Sequence, residues 1–98
     1  MSWQQYVDVL TSGSEVSFRP RGNSMKPRIK SGQLVTLSPN LESLAVGDVV
    51  LCRVKGGFLV HLLSAVDGER YQISNNSGRI NGWIKKNKIY GRVVKIEA

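Results

Sequence analysis

The stretch DVVLCRVKGGFLVHLLSAVDGERYQIS, residues 48–74, decides the fold. Residues 48–54 form a nearly continuous apolar run, the mark of a strand buried on both faces at the centre of a sheet. A second apolar run, 56–66, opens on Gly56-Gly57 directly after Lys55. Glycines between two such runs predict a β-hairpin, because tight hairpin turns need positive φ. Asp67-Gly68 marks a second tight turn, and RYQIS (70–74) forms a third strand. Three strands joined by two short turns define an antiparallel meander.

Working outward, Val16 and Phe18 alternate with polar residues, and 33–38 (QLVTLS) alternates so that Val35 and Leu37 share the better core face. Residues 88–96 (KIYGRVVKI) predict the last strand, with Gly91 at a bulge or a close approach. Residues 74–83 are rich in Asn, Ser and Gly and read as a loop. At the N-terminus Trp3, Tyr6, Val7 and Leu10 fall on one face of a short helix over 3–11, with Ser2 as N-cap and Gly13 as stop. The expected fold is mainly β: a coiled antiparallel sheet or partly closed barrel with one short N-terminal helix, forming a single domain over residues 1–98.

Composition narrows the function classes. No run of about 18 apolar residues is present, so no transmembrane helix is expected, and residues 1–10 do not read as a signal peptide. The one cysteine, Cys52, cannot form an internal disulfide and reads as a core thiol, which suits the cytoplasm. No cofactor and no metal cluster are expected. Fourteen basic residues against seven acidic ones give a net charge of +7, which favours an anionic partner such as nucleic acid or an acidic protein face. The charge is spread along the chain, and a solvated basic surface accounts for it equally well.

Two residues carry candidate chemistry. Ser24 stands in RGNSMKP (21–27), where Gly22 and Asn23 tolerate positive φ and Pro27 restricts Lys26. Such a turn can present backbone N–H groups to an oxyanion, although ordinary turns use the same residues. A serine nucleophile needs a base, and the only histidine is His61, in the apolar run FLVHLL. Strand alternation places His61 with Leu59 and Leu63, opposite Phe58, Val60 and Leu62. By itself His61 reads as a partly buried, hydrogen-bonded histidine or an exposed strand position.

The combination is more specific. GNSMKP (22–27), GQLV (32–35), VGDVVLCRV (46–54), FLVHLL (58–63) and YGRVVKI (90–96) follow in order at compact spacing. Over residues 16–96 this pattern resembles the clan of the LexA/UmuD repressor-type peptidases and type I signal peptidases. The resemblance implies a coiled β-sheet, Ser24 as nucleophile, and His61 at the general-base position. That base is lysine in repressor-type members and histidine in signal peptidases of the endoplasmic-reticulum type. It further implies that Asn23, Met25 and Pro27 line the substrate site, with small side chains near the cut. The chain departs from the pattern in three places. The first Gly-Asp is Gly32-Gln33, Leu62 follows the base where arginine is common, and residues 74–81 contain no carboxylate. Asn75, Asn76 or Asn81 is left to orient the imidazole without supplying charge. No DNA-binding domain or membrane anchor is expected, and with 23 residues before Ser24 cleavage in trans is expected over self-cleavage. Two functions follow: a small soluble serine peptidase that uses a Ser24–His61 dyad on a peptide or protein substrate, or an inactive peptidase-fold module that binds a protein or nucleic acid.

Overall fold

The computed structural model describes residues 2–20 and 28–98. Helix α1 (Trp3–Thr11) is followed by strands β1 (Val16–Phe18), β2 (Leu34–Ser38), β3 (Val49–Val54), β4 (Gly57–Asp67), β5 (Arg70–Ser74), β6 (Ile80–Lys85) and β7 (Ile89–Glu97). They form one antiparallel sheet in the order β1-β2-β7-β3-β4-β5-β6. The sheet is open, with β1 and β6 at its two edges. It coils enough that a Cβ added at Gly82 on β6 meets the Val54 side chain of β3 at 3.2 Å.

The expected helix is present with its signals. Ser2 and Gln5 form a reciprocal capping box, and Gly13, at φ +94°, ends the helix just past the Ser12 C-cap. Val7 and Leu10 are buried against Val16, Phe18, Leu37 and Leu51 on one face of the sheet. Trp3 packs edge-on against Phe18, and Tyr6 stacks on the same ring with centroids 4.7 Å apart. The other face collects Val50, Cys52, Val54, Leu63, Ile73 and Ile89. Strand β3 is thus covered on both sides, as its unbroken apolar run requires.

Two expectations need correction. The β3–β4 hairpin turns on Lys55-Gly56, one residue earlier than Gly56-Gly57, since Gly57 already pairs with Val54. Both turn residues have positive φ, +51° at Lys55 and +82° at Gly56, the pattern of a type I′ turn. Lys55 accepts a conformation that usually falls to Asn or Gly because the two-residue register leaves no alternative. The second correction is larger. Residues 74–83 are not simply a loop: Asn75–Arg79 turn the chain, and β6 then pairs with β5. Turn-forming residues mark where a hairpin bends and hide the strand that leaves it.

Among the described residues β-bulges re-aim the strands at Ser64, Asn81, Tyr90 and Val94, each the unpaired residue where a register shifts. Gly91 is where α1 approaches β7: a Cβ there meets Leu10 Cδ1 at 3.0 Å and the Ser38 carbonyl oxygen at 3.1 Å. The carbonyl is backbone and cannot swing away. Gly91→Ala is therefore expected to destabilise the fold by about 1–3 kcal/mol, read as a lower urea midpoint.

Cys52 is fully buried, as expected, and desolvation pushes its thiol up to about 12. The native thiol should ignore an aromatic disulfide reagent at pH 8 and react completely in denaturant; reaction at equal rates in both would show that the second core cluster is loosely packed.

Candidate active site

His61 lies on β4, directly opposite Val50 of β3. The strand alternates as expected, with Phe58, Val60 and Leu62 toward the α1 side and Leu59 and Leu63 toward the other. The ring is partly buried, and Nδ1 lies 2.7 Å from Oδ1 of Asn81. In the tautomer with its proton on Nδ1, the ring donates to this amide oxygen and the lone pair falls on Nε2. That is the tautomer a general base needs.

Asn81 reaches the ring because of the β5–β6 bulge. Ser74 pairs with Ile80 and Ile73 with Gly82, so Asn81 is the extra residue between them. Without the bulge β6 would keep plain alternation, and residue 81 would hold a fixed place in the pleat. Of the three asparagines open to this role, Asn75 is committed elsewhere. Its Oδ1 accepts from the backbone of Ser77 and Arg79 and from the Ser77 hydroxyl, fixing the 75–79 turn. No sequence signal singles out Asn81; the bulge that selects it depends on cross-strand register.

A network of main-chain contacts holds β4 from the other side. Gly47, at φ +102°, donates its N–H to the Leu63 carbonyl at 2.9 Å, and Leu63 returns its own N–H to the Asp48 carbonyl at 2.8 Å. The Asp48 carboxylate accepts from the Ala45 N–H at 2.9 Å. The Gly-Asp pair therefore acts as a clamp two residues from His61: glycine makes the turn and aspartate closes it. Arg28 adds a bond from Nη1 to the Gly47 carbonyl at 2.8 Å, and the neighbouring Ile29 is buried against Val35 and Val49.

Arg19 donates to the Gly32 carbonyl at 2.7 Å, and Gly32 donates to the Pro20 carbonyl. Gln33, where aspartate was the pattern, accepts from the Lys30 N–H through Oε1 at 2.7 Å. A side-chain amide oxygen thus makes the turn-closing bond that Asp48 makes with a carboxylate in the second Gly-Asp pair. Pro20, bonded to Gly32, and Arg28, bonded to Gly47, are the described residues on either side of 21–27. Ser24, Asn23, Met25 and Pro27 themselves lie outside the described residues.

Among the described residues no helix is long and apolar enough to cross a membrane, and no group of three or more His, Cys, Asp or Glu side chains is placed to hold a metal ion. A family model described as Peptidase S24-like matches residues 3–94. No curated protein matches the chain.

Proposed function

The chain belongs to the Peptidase S24-like family, and on that premise we propose that it is a serine peptidase in which Ser24 is the nucleophile and His61 the general base. The observation that supports this is the 2.7 Å contact between His61 Nδ1 and Asn81 Oδ1, which suits the tautomer that uses Nε2 as the proton acceptor. Ser24 stands four residues from Pro20 and four from Arg28 in the sequence. Arg28 is itself bonded to Gly47, which clamps the His61 strand.

In the proposed reaction the Ser24 hydroxyl adds to a peptide carbonyl as its proton passes to Nε2 of His61. The tetrahedral intermediate collapses, the C–N bond breaks, and the imidazolium returns the proton to the departing amine. Water then hydrolyses the acyl-enzyme by the same proton transfers. Backbone N–H groups at Ser24 stabilise the oxyanion, and Asn23, Met25 and Pro27 contact the substrate. The substrate is an extended peptide added beside an edge strand. Edge strand β1 leads into the segment that carries Ser24, and edge strand β6 carries Asn81.

One observation favours a second reading. The group facing Nδ1 is an amide and supplies no charge to an imidazolium, which suits a binding module derived from a peptidase. A fluorophosphonate probe separates the two. It should label the wild type and leave Ser24→Ala unlabelled. Equal labelling of both removes Ser24 from the mechanism, and an unlabelled wild type places the chain in the second class.

A further inference from the structure

A cleft between the β3–β4 turn and the far end of β6, with a volume of about 520 Å³, takes no part in the proposed catalysis. Arg53, Lys55, Lys85 and Lys88 line it together with Trp83 and Asn87, and no carboxylate does. Among the described residues none of these four cations has a carboxylate within ion-pair distance. Four like charges around one concavity repel one another, and a bound anion relieves that repulsion.

The cleft is built from held parts. Arg53 donates from Nε to the Gly56 carbonyl at 3.2 Å, and its guanidinium lies 4.8 Å from the centre of the Phe58 ring. Lys55 is fixed at the turn by its positive φ. Ile84 packs against the second core cluster, while its neighbour Trp83 is 39% exposed, a large ring left at the surface. The Arg70 guanidinium sits 5.2 Å from the centre of the Trp83 ring and fixes its plane. An adjoining cleft of about 360 Å³ continues the basic lining through Lys85 and Lys86, with Glu69 as its one carboxylate.

An acidic peptide would be satisfied by the cations alone. The exposed indole in the same cleft adds a flat π surface, which suits a partner that carries both phosphates and unstacked bases. Duplex DNA or RNA keeps its base faces stacked and inaccessible. We propose that this cleft binds a short single-stranded nucleic-acid segment, with phosphates on Arg53, Lys55, Lys85 and Lys88 and a base stacked on Trp83.

The test is a fluorescence titration of the whole chain with 15-nucleotide oligo(dT) and oligo(rU), at 50 and 200 mM salt. Quenching is expected with at least one of them, with affinity falling roughly 20- to 50-fold between the two salts for three or four phosphate contacts. Trp83→Leu should weaken binding roughly tenfold, and Trp83→Phe should restore most of it. Lys85→Glu and Lys88→Glu should each weaken binding and flatten the salt dependence. Lys95→Glu, which changes the charge equally outside the cleft, should leave binding unchanged, as should Ser24→Ala. Unaltered urea midpoints show that the variants fold. The proposal is overturned by absence of binding at 50 mM salt, by an equal loss in Lys95→Glu, or by wild-type affinity in Trp83→Leu. Binding of poly-glutamate as tight as that of the oligonucleotides also overturns it, in favour of an acidic polypeptide.

Discussion

Replacing His61 by alanine is expected to lower kcat/KM on a cleaved peptide by about 10³-fold or more while leaving the fold intact, because general acid–base catalysis contributes roughly 10²–10⁴-fold at sites of this kind. The side chain is only partly buried, and its β4 neighbours Phe58, Leu59, Val60 and Leu62 supply the packing of that strand, so the loss is chemical rather than structural. The measurement is steady-state turnover together with the urea midpoint. Unchanged turnover with an unchanged midpoint would falsify the role of His61 as base.

The contact with Asn81 makes that expectation sharper. If Asn81 acts only by holding the ring, then Asn81→Ala lowers turnover by roughly 10²-fold in the wild type and adds almost nothing on top of His61→Ala. Asn81→Asp goes the other way. A carboxylate at 2.7 Å from Nδ1 makes a charge-assisted bond to the imidazolium that forms as the serine proton is taken, and a gain of roughly tenfold is expected. Additive losses in the double variant would mean that Asn81 works elsewhere, for instance by holding the β5–β6 bulge.

The β3–β4 and β4–β5 hairpins, the helix and the central place of β3 are legible in the sequence because each rests on local signals: apolar runs, glycines and a cap. His61 as a part-buried, hydrogen-bonded histidine is one of the two readings its apolar strand allows, the other being an exposed strand position. Three features are not legible. Strand β6 is masked by the Asn, Ser and Gly that precede it, since its own residues, INGWIK, include an asparagine and a glycine that a regular strand avoids. That asparagine is the bulged residue, so part of what hides the strand is also what builds the site. The choice of Asn81 over Asn75 is a matter of register between strands, which composition does not carry. The four-cation cleft is similarly invisible, because Arg53, Lys55, Lys85 and Lys88 are brought together by the nearness of the β3–β4 turn to the end of β6.

The same architecture sets the largest stability effect. Leu51 is fully buried on the central strand, between Val60 of β4 and Gly91 of β7, and its side chain packs under α1 with Leu10, Phe18 and Leu37. The helix lies close to this position because Gly91 has no side chain, and the strand is paired on both sides. A cavity left there collapses poorly, so Leu51→Ala is expected to cost about 3–5 kcal/mol, near the top of the range for such truncations. In a small domain whose whole stability is of order 5–15 kcal/mol, this lowers the urea midpoint by roughly 2 M. Leu10→Ala should cost nearly as much, and the pair should be less than additive because both open the same space. Val94→Ala is the control, since Val94 is 43% exposed and should shift the midpoint by no more than a few tenths of a molar. Equal, small shifts in all three variants would mean that α1 does not close this core, and that the sheet is stabilised chiefly from its other face.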